Sequence, residues 1–233
     1  MYVHPAFRID RAQSLAFAAA RGFGLVVACN GGRPAASPLP FRLDYANDGT
    51  PRLGFHVARN NPLSGLAAKR GNWLVAVTGA DAYVSPDWYA SHDQVPTWLY
   101  ETVHLCGPVQ ILGEQEQRTH LDRLGEEFEG WLAPKPQWTA DKIAPGRRQA
   151  LMKGIVAIEM AVETVEGSFK LNQHKSDVDH VAVARALARQ EDSNARTIAA
   201  RMIALRPQLD YDLGDAAAAT VVGNAPALAL QGT

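Results

Sequence analysis

Hydrophobic positions change their spacing several times along the chain, and each change predicts an element. Asp10 precedes a stretch in which Leu15, Ala16 and Ala19 share one side, which predicts a capped helix from Arg11 to Arg21 ended by Gly22. Gly24 to Cys29 is apolar throughout and predicts a strand, with Asn30-Gly31-Gly32 supplying the positive-φ residues of a hairpin turn. The chain returns from Pro34 to Leu43, turns at Ala46-Asn47-Asp48-Gly49 and continues as Arg52 to Ala58, a three-stranded meander. Pro62 suits the first turn of a short helix to about Arg70. Trp73 to Thr78 is apolar on both faces, as a buried strand is, and Ala82 to Ser85 and Thr97 to Leu112 extend the sheet around a loop containing Pro86 and Pro96.

The period then lengthens. Leu121, Leu124, Phe128 and Trp131 recur every three or four residues and predict an amphipathic helix from Gln115 to Trp131, followed by a second helical piece from about Ala140 to Met152. In Gly154 to Glu163 the residues Val156, Ile158, Met160 and Val162 face one way while Glu159 and Glu163 face the other, so this is a strand with a wet side. Asp177 to Gln190 is helical, and Ser193 is positioned to cap another helix ending near Leu205. Six or seven antiparallel strands with inserted and C-terminal helices describe an α+β chain built on a small closed or half-open barrel. One domain over residues 1–209 and a flexible Ala/Gly-rich tail over residues 210–233 are expected, because the tail lacks bulky side chains to offset ordering entropy.

Composition narrows the function. The 233 residues are 47% hydrophobic and 20% charged, with a net charge of −1, so no basic field extends over the whole molecule and DNA binding would need a local patch. Arg185, Arg189, Arg196, Arg201 and Arg206 along the last helices are the candidates for such a patch or else a solvated face, and the turn between those helices lacks a helix-turn-helix corner. Cys29 and Cys106 sit in apolar strand-like runs and read as buried, reduced thiols. With no secretory leader pattern and no apolar run near the ~20 residues that cross a bilayer, a cytoplasmic protein away from the membrane is expected.

Dinucleotide, phosphate-loop, nucleophile-elbow and zinc-protease motifs are missing, so no catalytic residue can be assigned. The histidines carry no metal-ligand spacing, and His56, His104 and His174 read as structural or ligand-positioning groups, with no metal expected. His56 to Pro62 ends a strand and begins a helix. Arg59, Asn60, Asn61 and the helix N–H groups could converge there on an anion, or Arg59 could be an exposed charge and the asparagines plain strand breakers. Thr97 can hydrogen-bond and Trp98 can stack, against a flat ligand or at a subunit interface. Lys170 to Lys175 is a cationic run after what reads as a turn at Glu166-Gly167.

Four strings recur together in one known family: HVARNNP (His56 to Pro62), AYVSPDWY (Ala82 to Tyr89), VPTWLY (Val95 to Tyr100) with His104 and Gly107 beyond it, and EGSFKLNQHKSDVD (Glu166 to Asp179). In their order and spacing the chain, from Met1 to about Leu187, resembles PaiB-type proteins, described as negative transcriptional regulators with an FMN-binding split barrel related to pyridoxamine-phosphate oxidases. The resemblance implies FMN or a related flat anionic ligand in a cleft between the subunits of a homodimer. It places the flavin phosphate at Arg59, Asn60 and Asn61, with His56 among the cofactor-binding residues. The strand Ser37-Pro38-Leu39-Pro40 would lie along the isoalloxazine edge, and Thr97, Trp98, Lys170 and Gln173 would line the cleft. The alternatives are a flavin- or haem-linked oxidoreductase and an interaction module without a cofactor.

Overall fold

The computed structural model describes residues 1–29, 32–69 and 71–213. The expected hairpin turn at Asn30-Gly31-Gly32 in part, and residues 214–233 of the expected flexible tail, lie outside the described residues. The elements are β1 (Arg8–Ile9), α1 (Arg11–Arg21), β2 (Phe23–Ala28), β3 (Ala35–Tyr45), β4 (Pro51–Ala58), α2 (Pro62–Ala67), β5 (Asn72–Val84) and β6 (Thr97–Ile111). After these come α3 (Glu114–Gly130), α4 (Pro145–Lys153), β7 (Ile155–Ala161), β8 (Thr164–Lys170), α5 (Asp177–Ala188) and α6 (Ser193–Leu205). The class is the expected one: α+β, mainly antiparallel, with inserted and C-terminal helices.

The described chain forms two compact units. The first comprises Met1–Phe17, Thr78–Val103 and the described part from Glu166 onward; the second comprises Ala18–Val77 and His104–Val165.

In the second unit the strands follow the order β5-β2-β3-β4-β7-β6, and β6 is also the neighbour of β5, so the ring closes on itself. Alternation fills its interior. Leu53, Phe55 and Val57 of β4 and Val156, Ile158 and Met160 of β7 are buried, while Arg52, Gly54, His56 and Glu159 face outward. Phe55 stacks on Trp73, ring centroids 6.1 Å apart, and Trp73 is fully packed within this chain, not left over for a partner. β3 changes neighbour midway: Ala35 to Pro40 pair with β2, whereas Phe41 to Tyr45 pair with β4. Gly107 on β6 lies so close to β7 that a Cβ there would sit 1.7 Å from the Ala161 carbonyl oxygen. No other residue fits.

In the first unit α5 and α6 pack their Val183, Leu187, Ile198 and Met202 onto Val84, Leu99 and Leu171. Short β1 pairs with β8, Arg8 opposite Ser168 and Ile9 opposite Gly167.

Several expected boundaries shift for local reasons. Among the described residues eight strands form where six or seven are expected. β5 is one strand from Asn72 to Val84, not two pieces, and Glu166-Gly167 lies within β8, not in a turn. The cap of α6 is Asp192, whose carboxylate accepts from Asn194 N–H, not Ser193. The expected helix from Ala140 divides into a 3₁₀ turn at Ala140–Lys142 and α4, because Pro145 begins a helix but cannot continue one. Cys29 falls one residue beyond β2 and is exposed, contrary to the expected burial, and Cys106 is half-buried. The buried side of α3 is Gln117, His120 and Leu124, while Trp131 is exposed.

Candidate functional site

On the second unit, the strand-to-helix junction brings two of the expected segments together. Asn61 ends the β4 chain excursion, its side-chain oxygen accepting from Leu63 N–H at 2.9 Å, and its Nδ2 donates to Ser37 Oγ on β3, also at 2.9 Å. The asparagine is therefore both the cap of α2 and the tie between two strings 24 residues apart. Arg59 does not swing free. Its Nε donates to Lys153 O at 2.8 Å and its Nη2 to Ile155 O at 3.1 Å, which fixes the guanidinium plane at the end of α4 while leaving its charge in place. Asn60 beside it is exposed. Because Leu63 and Ser64 N–H groups already bond Asn61, the first turn of α2 offers less to an anion than the sequence suggests.

Pro38 and Pro40 stand opposite Leu25 and Phe23 of β2. Leu25 and Phe23 are each 43% exposed, so the outer face of this strand pair is apolar and open to solvent. Phe41 N–H bonds Gly22 O on the β2 side, so by alternation the backbone groups of residues 38 and 40 point the other way, toward the edge that no strand covers among the described residues.

His56 turns from the junction toward α3, its Nδ1 3.2 Å from His120 Nε2. His120 is the site residue that sequence reasoning misses; its only signal is a place on the buried side of α3. Burial, then the neighbouring His56 and Arg42, hold its pKa down to about 4, and burial alone lowers that of His56. Both rings are therefore neutral near pH 7, one donating to the other. Gln117, one turn earlier, donates to Met152 O at 2.9 Å and accepts from Ala157 N–H at 3.3 Å, clamping α3 onto α4 and β7. A cavity of about 360 Å³ lies beside Arg59, walled by Ile111, Gln117, Met152 and Lys153.

On the first unit, Lys170 donates to the Thr97 hydroxyl, so two further expected residues meet. Trp98 is 55% exposed and meets Tyr83 edge-on, ring centroids 6.0 Å apart. Gln173 is turned inward: its amide bonds Leu171 N–H and Phe169 O, shaping its own loop. His174 lies against Phe7, while His104 is half-buried on β6.

Four of the five arginines expected to form a patch on the last helices are engaged within the chain, and Arg189 is exposed. Arg201 pairs with buried Glu101, Arg206 bonds Asp177 and the carbonyls of Gln173 and Lys175, Arg185 bonds Tyr211 O, and Arg196 caps the carbonyls of Gln190 and Glu191. Among the described residues no group of three or more metal-binding side chains assembles, and no helix is long and apolar enough to cross a membrane.

A family described as "Putative FMN-binding domain" matches residues 1–164. The chain is also 31% identical over 203 residues to protease synthase and sporulation protein PAI 2 of Bacillus subtilis, covering 87% of this chain and 96% of that protein. The chain belongs to the PaiB-type family. A second relative of this PaiB-type chain, an uncharacterised protein of Saccharomyces cerevisiae, is 31% identical over 85 residues, covering 35% of this chain and 50% of the yeast protein. Among solved structures, an FAD and heme binding protein of Mycobacterium smegmatis superposes with a TM-score of 0.50 at 19% identity, covering 69% of this chain and 71% of that one. A conserved hypothetical protein of Mycobacterium tuberculosis gives 0.51 at 9% identity, with 76% and 94% coverage. The split-barrel fold of the PaiB-type chain is shared with these two.

Proposed function

We propose that this PaiB-type protein binds FMN on its barrel, as a homodimer, and acts as a regulator through that ligand. The observation that carries the reading is the Asn61–Ser37 contact, which gathers the two strings expected to meet the flavin into one polar corner beside the tethered Arg59. The corner suits a phosphate. The Ser37 hydroxyl, which accepts from Asn61, still has its own proton to donate, the Arg59 guanidinium supplies charge, and exposed Asn60 supplies an amide.

The apolar face of Leu25, Phe23, Pro38 and Pro40, with Leu39 on the opposite face of the strand, suits a flat ring or a second copy of the chain. His56, held by His120, backs this corner without touching the ligand. In the other unit the reading assigns ligand contact to Thr97, Trp98 and Lys170, and to Gln173 the shaping of their loop. Bound FMN would supply one- or two-electron redox chemistry. The regulatory part of the reading follows from the family resemblance, the Bacillus relative being named for protease synthesis and sporulation, and the internal use of four of the five arginines along the last helices favours a role exerted through the small molecule over direct grip on DNA.

Flavin-fluorescence quenching tests it. Arg59→Ala removes a charge-assisted contact worth about 1.5–3 kcal/mol, so FMN should bind roughly ten- to hundred-fold more weakly, with Arg59→Lys intermediate. Riboflavin, lacking the phosphate, should bind wild type and Arg59→Ala alike. Equal FMN affinity in both proteins removes the phosphate assignment, and no binding to wild type removes the cofactor.

A further inference from the structure

The segment Glu166 to Asp179 carries three acids and three basic side chains, and the structure separates them. Glu166 takes the amino terminus of Met1, Asp177 takes Arg206 at 2.7 Å, and Asp179 accepts from the Ser91 N–H and hydroxyl at 2.9 and 2.8 Å. Among the described residues Lys170 and Lys175 have neutral partners: the Thr97 hydroxyl for one, the Gln94 side-chain oxygen at 2.5 Å for the other.

Both lysines are half-buried and seated over aromatic rings, Lys170 Nζ 5.8 Å from the Phe7 centroid and Lys175 Nζ 5.0 Å from that of Tyr89. Phe7 gathers the cluster, since His4 and His174 lie 5.0 and 5.3 Å from the same ring. The turn that carries the cations is rigid. Asn172 is fully buried at φ +59°, accepts from Lys175 N–H through its carbonyl at 3.0 Å, and receives the Tyr89 hydroxyl on its side chain at 3.4 Å.

Partly desolvated ammonium groups without a counter-charge are unfavourable, and a fold holds them together at a cost unless an anion completes the site. We propose that Lys170, His174 and Lys175 form an oxyanion site that receives the phosphate or carboxylate group of a small molecule. The mutual repulsion agrees: after burial, Lys175 lowers the pKa of Lys170, and both lysines lower that of His174. The inference rests on reading residues 170–175 as ligand-facing, and it gives that surface a chemistry distinct from the flavin phosphate corner at Arg59.

The test uses the full chain with inorganic phosphate and, separately, acetate, followed by backbone amide NMR shifts and calorimetry. Phosphate should shift the amides of residues 170–176 at about millimolar concentration. Lys170→Gln with Lys175→Gln should weaken it by about tenfold or more, while Arg59→Ala leaves these shifts intact. Acetate binding with the same footprint marks a site for any oxyanion; phosphate alone marks a phosphate site. Phosphate shifts that are equal in wild type and the double glutamine variant, or absent from residues 170–176, overturn the proposal. Because FMN binding is read separately by fluorescence, loss of one result leaves the other standing.

Discussion

Arg201 Nε lies 3.0 Å from Glu101 Oε1, and the two residues are 8% and 3% exposed. The first prediction follows from how such a pair fails. Burial pushes the Glu101 carboxyl above its usual range and Arg201 pulls it back, so each charge is tolerated because of the other. Glu101→Gln should cost about 3–5 kcal/mol in urea denaturation, whereas Glu101→Leu with Arg201→Met should recover much of it. A double variant as unstable as the single one would show that the two charges are not coupled.

Acid should act through His120. Its pKa in the fold, about 4, lies below the 6.5 of an unperturbed histidine, so between those values the unfolded chain binds the extra proton and the folded chain does not. Stability is therefore lost as pH falls through this window, by up to about 3 kcal/mol. In His120→Gln the melting temperature should drop less between about pH 7 and pH 4.5 than in wild type. Parallel curves for the two proteins would contradict this.

Two glycines separate close approach from open space. Gly107→Ala puts a methyl group into the Ala161 carbonyl and should cost more than about 4 kcal/mol or prevent soluble expression. Gly65→Ala in α2 meets nothing within 4 Å and should stay within about 1 kcal/mol of wild type, on the stabilising side. Comparable losses in both would mean that helix or strand propensity, not the contact, sets the effect.

Dimerisation should depend on the open face of β2. If Phe23 and Leu25 lie in a homodimer interface of on the order of 2,000 Å², light scattering at micromolar concentration reports a dimer, and Leu25→Glu a folded monomer. Wild type running as a monomer rejects the assignment.

Periodicity carries far in this chain where neighbours in sequence are neighbours in space. The meander and the α1, α3, α5 and α6 helices are legible from spacing and caps alone. What escapes is long-range. Gly167 reads as a turn, but it stands in β8 opposite Ile9, and it is glycine because a Cβ there would sit 2.3 Å from Ile9 Cγ1 and Ser14 Oγ, contacts more than 150 residues away. His120 is anonymous until the fold brings His56 to it across 64 residues. The cation cluster is written plainly in the segment 170–175, but that its acids are occupied elsewhere is visible only when Ser91, Arg206 and Met1 are in place.

Of the three places on β3 where an N–H would point to the uncovered edge, Ala36, Pro38 and Pro40, prolines occupy two. That edge is left with carbonyls and the single donor of Ala36, without the alternating donors that a second strand needs to grow along it. A partner can lean on this side of the barrel through its apolar surface, yet it cannot extend the sheet, so the barrel can leave one flank open without inviting runaway strand addition.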